Sequence, residues 1–303
     1  MASEKLFYNA VNIAVQTQYK ELKKLIEKNG SWEKSWEEIR EIKKSELDPE
    51  KEYAKMETAG VELFLLEEEN YPKLLKETHF PPFGLYVKGR LPSSEHSVAI
   101  VGTRKATAEG KESAREFGRE LAEAGCMIIS GLALGIDAMG HKGALDGKGV
   151  TVAVLANGLD HIYPATNASL AEEIVRQNGA LISEYPLGSP SLPYRFLERN
   201  RIVSGLSKGV LIIEAPSRSG TIATARFALE ENRDVFVIPG PVRHSNFTGS
   251  HELIKQGASL VTTASDILSV LGIASEKQPD TQNLSPEEAA ILSVLKEAKK
   301  PLS

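Results

Sequence analysis

The chain has 303 residues, 41% of them hydrophobic, and a net charge of −5, which suits one large globular domain with accessory pieces and argues against a nucleic-acid binder working by bulk charge. No apolar run approaches the roughly 18 residues of a membrane span, and Met1-Ala-Ser-Glu-Lys-Leu6 lacks the charged and apolar regions of a secretory signal. Cys126 is the single cysteine, so an internal disulfide and a cysteine-built metal site are both out, and the expected compartment is reducing, most simply the cytoplasm.

Residues 1–58 are charged, with apolar positions at helical spacing in Lys20-Glu-Leu-Lys-Lys-Leu-Ile-Glu27 and with Trp32 and Trp36 four apart on one face. They are read as a small helical bundle. Val61–Leu66 and Gly84–Lys88 are strand-like around the proline-rich Phe80-Pro-Pro-Phe83. Apolar runs then follow at Ser97–Val101, Cys126–Ser130, Val150–Leu155, Ala180–Ser183, Val210–Ile213, Val235–Ile238 and Ser259–Val261. Helical stretches lie between them at Thr107–Ala124, Gly135–Leu145, Ala168–Gln177, Arg199–Leu206, Ile222–Glu231 and His251–Gln256. Apolar strands alternating with helices imply an α/β, Rossmann-like domain over 59–273 with a mostly parallel sheet, helices on both faces and a ligand crevice at the carboxyl ends of the strands. Residues 274–284 are polar and read as a linker. Ser285-Pro-Glu-Glu288 opens a capped helix, so 285–303 reads as the truncated start of a further helical domain.

The segment Ser217-Arg-Ser-Gly-Thr-Ile-Ala-Thr-Ala-Arg226 follows the apolar strand Gly209–Glu214 and starts a helix. A small-residue loop before a helix offers unpaired backbone N–H groups that the helix dipole makes attractive to anions. Ser219, Gly220 and Thr221 let a phosphate approach, and Arg218 and Arg226 add charge. Arg104 directly follows the first core strand and would project into the crevice. Arg199, Asn200 and Arg201 would open a helix after a Pro-Tyr-Arg-Phe loop; two apart, the arginines cannot share a face, so one would bind ligand while the other braces the sheet. Asp137 and His141, four apart, read as a helix cap and its neighbour rather than an acid–base pair. Tyr185, Tyr194, Phe196 and Phe247 are the aromatics near the loops, each available to stack a base or to pack the core. No dinucleotide fingerprint and no Gly-x-x-x-x-Gly-Lys-Ser/Thr loop occurs, and the six histidines have no metal-ligand spacing, so neither cofactor nor metal is expected.

These residues resemble the DprA (Smf) family of bacterial DNA-processing proteins. The resemblance is carried by Val101-Gly-Thr-Arg104, Ser130-Gly-Leu-Ala-Leu-Gly-Ile-Asp-Ala138 with His141, Gly158-Leu-Asp160, Tyr163-Pro164, Ser183-Glu184, Arg199-Asn-Arg-Ile-Val-Ser-Gly-Leu-Ser207, Ser219-Gly-Thr221, Thr224-Ala-Arg226, Val237-Ile-Pro-Gly240 and Gly249 through Ala258. They run in family order over about residues 61–272. Leu197 stands where proline is usual, His251 where asparagine is usual, and Met139-Gly140 where two alanines are usual. The resemblance implies an extended Rossmann fold that binds single-stranded DNA, forms a homodimer, and helps load the RecA recombinase onto strands entering during natural transformation. It implies phosphate contacts at Gly102, Arg104 and Ser219-Gly220-Thr221, with Arg199-Asn200-Arg201 alongside, and a C-terminal winged helix beginning near Ser285. The dimer contact is expected on the helix carrying Leu253 and Ile254, apolar residues in a polar segment.

The alternative is a nucleotide-processing enzyme like the Lonely Guy phosphoribohydrolases. Those have a Pro-Gly-Gly-x-Gly-Thr loop and a glutamate beyond it, whereas here the loop is Arg218-Ser-Gly-Thr221 and Thr224 follows three residues on. A non-catalytic single-strand binder is the expectation.

Overall fold

A computed structural model describes residues 2–273 apart from Ser93 and Glu95. The expected linker at 274–284 and the helix opening at Ser285 lie outside the described residues. Four helices come first: α1 (Ala2–Ala14), α2 (Tyr19–Asn29), α3 (Trp32–Lys43) and α4 (Pro49–Thr58). Ser31 Oγ accepts from Lys34 N to start α3, and Asp48 caps α4 with Pro49 at its first position. Trp32 and Trp36 are both buried, and Trp32 meets Tyr8 and Phe83 edge-on at 4.9 and 5.8 Å. This layer shares a core with the sheet, since Tyr8, Val11 and Trp32 belong to one cluster with Leu63, Tyr86 and Leu181.

The chain then runs β1 (Val61–Leu65), α5 (Lys73–Lys76), β2 (Gly84–Gly89), β3 (Ser97–Gly102), α6 (Ala108–Glu123), β4 (Met127–Ser130), α7 (Ile136–Asp146) and β5 (Thr151–Val154). It continues through α8 (Ala168–Arg176), β6 (Ala180–Ser183), α9 (Pro193–Gly205), β7 (Gly209–Ile213), α10 (Gly220–Glu230), β8 (Asp234–Val237), α11 (Thr248–Lys255), β9 (Ser259–Leu260) and α12 (Ala264–Val270). The strands form a nine-stranded sheet in the order β1-β2-β6-β5-β4-β3-β7-β8-β9. β1 is antiparallel to β2 and β2 to β6; the other pairs are parallel. The parallel strands β3 to β7 are apolar and buried almost throughout, because helices cover both faces. Helices α6 and α7 cross closely enough that a Cβ on Gly118 would stand 2.5 Å from the Gly140 carbonyl oxygen.

The site follows from the strand order. From β3 the chain crosses to β4 on one side, and from β7 to β8 on the other. The connections diverge between β3 and β7, and such a switch point opens a crevice beyond the carboxyl ends of the two strands.

Three elements depart from expectation, the first being the short helix α5 between β1 and β2. Helix α9 begins at Pro193, six residues before Arg199, because Pro193 occupies the first helical position, where its missing N–H and fixed φ are favourable. The Pro-Tyr-Arg-Phe stretch is therefore helix, not loop. Helix α12 was not expected; Thr263 and Asp266 form a reciprocal capping box that starts it.

Candidate functional site

The crevice between the ends of β3 and β7 has a volume of about 530 Å³ and is lined by Gly102 and Arg104 after β3, Gly131 and Asp137 after β4, Tyr163 after β5, Phe196, Arg199 and Asn200 of α9, and Ser219, Gly220 and Thr221 at the start of α10. Its volume lies within the usual range of small-molecule sites.

One wall is the N-terminus of α10. Ser219 is extended and gives the helix no side-chain cap, unlike Thr107, whose Oγ accepts from Gly110 N at 2.9 Å to cap α6. The first turn of α10 thus meets the crevice with no side-chain acceptor supplied by its own cap residue, the arrangement that binds anions. Ser219 Oγ is itself buried without a hydrogen-bond partner. The loop is held in place by Asn200 Nδ2, which donates to Gly220 O at 3.1 Å, and by Thr224 Oγ1, which donates to the same oxygen at 3.2 Å. Thr224 is buried at the position where a hydrolase would need its acid.

An adjoining wall is aromatic. The Arg104 guanidinium lies 4.9 Å from the centre of the Phe196 ring, and Tyr163 approaches Phe196 at 5.5 Å between centroids. Phe196, Asn200 and Val203 all line the crevice, at the i, i+4, i+7 spacing of one helix face. Leu197 lines it too, half exposed at 50%.

Arg199 forms the floor. It is 4% exposed, and its Nη1 donates to Gly131 O at 2.8 Å and, very closely, to Val154 O. Burial pulls this guanidinium down to about 10, with the Asp137 carboxylate opposing the shift. Asp137 Oδ2 accepts from Gly131 N at 3.1 Å and Ala133 N at 3.4 Å. Burial raises the Asp137 pKa, and Arg199 is the chief opposing influence. Asp137 does not contact His141 by hydrogen bond; His141 Nδ1 faces Thr151 Oγ1 at 2.6 Å inside the core, and burial lowers its pKa to about 3.

The structure thus brings together Gly102, Arg104, Arg199, Asn200, Ser219, Gly220 and Thr221. It does not bring in Arg201, which leaves the other side of α9 to pair closely with Glu184 and to lie 5.9 Å from the Tyr19 ring. Two residues along a helix turn a side chain through about 200°, so Arg199 and Arg201 divide between crevice and brace. Arg218 and Arg226 are exposed outside the crevice lining. Leu253 corrects the expected dimer contact: it is 4% exposed and packs with Val237 and Ala215 in the core, because α11 turns that side of its short amphipathic surface to the sheet. Ile254 is only partly buried. Of the four aromatics considered, Phe196 lines the crevice and Tyr194 is 52% exposed, while Tyr185 and Phe247 are spent in packing.

Sequence reasoning did not assign a role to Tyr163, which lies nine residues past the end of β5, in the connection to α8. It also missed Glu214, the fully buried last residue of an apolar run. Its carboxylate accepts from Thr107 N at 3.0 Å, from Asn246 Nδ2 at 2.8 Å and, very closely, from Thr107 Oγ1. Its carbonyl accepts from Thr103 N at 2.9 Å. Glu214 holds φ at 54°, a left-handed conformation costing on the order of 1–2 kcal/mol, and it joins the loops after β3, β7 and β8 into one block.

A sequence profile described as DNA recombination-mediator protein A matches residues 62–272. Over 226 residues the chain is 46% identical to Protein Smf of Escherichia coli, covering 74% of this chain and 60% of that protein. Over 214 residues it is 39% identical to DNA processing protein DprA of Bacillus subtilis, covering 70% and 72%. The X-ray structure of DprA from Streptococcus pneumoniae superposes with a TM-score of 0.68 at 35% identity, covering 78% of this chain and 80% of that one. DprA from Helicobacter pylori, whose structure is described as giving insight into a single-stranded DNA binding mode, superposes at 0.63 with 34% identity, covering 70% and 95%.

Proposed function

The chain belongs to the DNA recombination-mediator protein A family, and from that premise we propose that its crevice binds single-stranded DNA without chemical turnover. The observation that carries the reading is the pairing of an uncapped helix N-terminus at Ser219–Thr221 with Arg104 stacked on Phe196 in the same crevice. The first holds phosphate and the second offers a π-face to a base, the two elements of sequence-tolerant single-strand binding. The Helicobacter pylori relative, described as a single-stranded DNA binder, supports it.

The protein acts, in this reading, as a recombination mediator in the cytoplasm: a homodimer that covers incoming strands and helps load RecA. The dimer contact then uses Ile254 and its exposed neighbours, not Leu253. Catalysis is not part of the proposal, since the Thr224 hydroxyl is occupied in donating to the Gly220 carbonyl and Asp137 is engaged by two backbone N–H groups. The deciding experiment measures gel-shift affinity for single-stranded and duplex oligomers beside turnover of nucleoside monophosphates. Preference for single strands without turnover supports the reading. Release of free base from a monophosphate would replace it with the phosphoribohydrolase alternative.

A further inference from the structure

The two ends of the crevice differ in chemistry. Towards β5 and the start of α9 its lining is aromatic and apolar: Tyr163 and Leu197 are 45% and 50% exposed. Outside the crevice lining, the loops on the β8 side carry exposed cations. Lys105 follows Arg104 out of β3, and Arg243 stands in the loop between β8 and α11; both are exposed, and neither side chain makes an ion pair or hydrogen bond among the described residues.

These two cations stand on loops that are fastened to each other. Asn246 Nδ2 donates to the Lys105 carbonyl at 3.0 Å and to Glu214 Oε2 at 2.8 Å, so the loop after β3 is tied across β7 to the loop after β8. The second loop is itself restrained. It carries Pro239 and Pro241, His244 N donates to Pro241 O at 3.0 Å, and the Phe247 ring fills the space beside Gly240. Cations held on restrained backbone with no acidic partner are already arranged for an anionic ligand and lose little freedom on binding it. The nearest carboxylate of this block, Glu214, is buried and fully engaged by Thr107 and Asn246.

We propose that a DNA strand leaving the crevice runs across the β8–α11 loop, with Lys105 and Arg243 each holding a backbone phosphate outside the crevice. The inference rests on the single-strand reading of the crevice and adds a direction to it: bases stack at the Tyr163–Phe196 end, and the strand exits over the cationic end.

The test measures affinity of the full chain for a labelled 20-nucleotide oligothymidylate as a function of salt. The variants are Lys105→Ala/Arg243→Ala, a charge-matched control Lys24→Ala/Lys34→Ala on the N-terminal helices, and Arg104→Ala in the crevice. Two phosphate contacts predict that the first variant lowers the slope of log affinity against log salt by about 1.4, a loss of roughly 25-fold at 0.1 M salt. The control keeps the wild-type slope. If the control lowers the slope as much, the effect is one of net charge and the path is wrong. If Arg104→Ala reduces binding while Lys105→Ala/Arg243→Ala does not, the crevice reading stands and the exit path falls. Failure of the wild-type protein to bind the oligomer would overturn the crevice reading and the path with it. Both side chains are exposed and unpaired, so circular dichroism and melting of the double variant should match wild type.

Discussion

Asp137 and Arg199 face one another across the Cα of Gly131, and each grips the same residue: the carboxylate accepts from Gly131 N at 3.1 Å and the guanidinium donates to Gly131 O at 2.8 Å. A Cβ on Gly131 would stand 2.5 Å from Arg199 Nη2 and 2.8 Å from Asp137 Oδ2. Glycine is needed at this position for space. Gly131→Ala should therefore cost about 1–3 kcal/mol by overpacking and displace the crevice floor. Chemical denaturation and oligonucleotide affinity would both fall; an alanine variant equal to wild type in both would refute the clamp.

Arg104 should act through phosphate. Arg104→Ala is expected to weaken binding to oligonucleotides of any sequence alike and to lower the single-strand salt slope by about 0.7. Arg104→Lys should recover only part of the affinity, since an ammonium can neither fork nor stack on Phe196 as a guanidinium does. Equal slopes for wild type and a folded alanine variant would end the assignment.

In the proposed reading, Phe196 offers the base-stacking face. Phe196→Ala should cost about 1–3 kcal/mol of binding, while Phe196→Tyr should retain most of it. Affinity measured over a salt series separates this from the phosphate effect, because stacking loss leaves the salt slope unchanged. A large slope change in Phe196→Ala would show that Arg104 had moved with the ring.

His141 gives a pH dependence of stability. Burial holds its folded pKa at about 3, against about 6.5 in an unfolded chain. The unfolded state therefore binds a proton that the native state does not, and this group's contribution is present above pH 6.5 and lost as pH falls. Between pH 7.5 and 5.0 the loss should be roughly 2 kcal/mol. His141→Gln should show a correspondingly smaller drop over that interval in urea denaturation; an identical drop would mean that the imidazole takes its proton inside the fold.

Leu253→Ala should destabilise the monomer fold by about 2–5 kcal/mol, as a buried leucine does, without weakening self-association of whatever remains folded. Ile254→Asp, at a partly buried position packed against the same core, should cost some stability and also weaken self-association of the folded protein. Sedimentation of both variants checks this, and dissociation by Leu253→Ala alone would restore it to the interface.

Most of the architecture was legible because its signals are local. Apolar runs such as Val210–Ile213 alternate with helices at regular spacing, and strand ends in a parallel sheet must gather at one edge, which placed Arg104 and Ser219–Thr221 together. Side-chain direction on α9 was harder to read. Moving its start from Arg199 to Pro193 turned four supposed loop residues into a helical turn and brought Phe196 onto the face of Asn200. Glu214 was invisible for a different reason. Its partners Thr107 and Asn246 are 107 and 32 residues away, and no local pattern announces a bond across three loops. Leu253 misled because an apolar residue in a polar segment looks the same whether it meets a partner or its own sheet.

Helix α9 is also a mechanical part. On one side it carries Phe196, Leu197 and Asn200 into the crevice, and on the other Arg201 reaches Glu184 beside Tyr19 of the first helical layer. Its 13 residues span from the crevice to the first helical layer. The amino-terminal helices thereby touch the far side of the helix that carries Phe196, and a cut that removed them would take away the Tyr19 contact of Arg201 and open the core that Tyr8 and Trp32 share with the sheet.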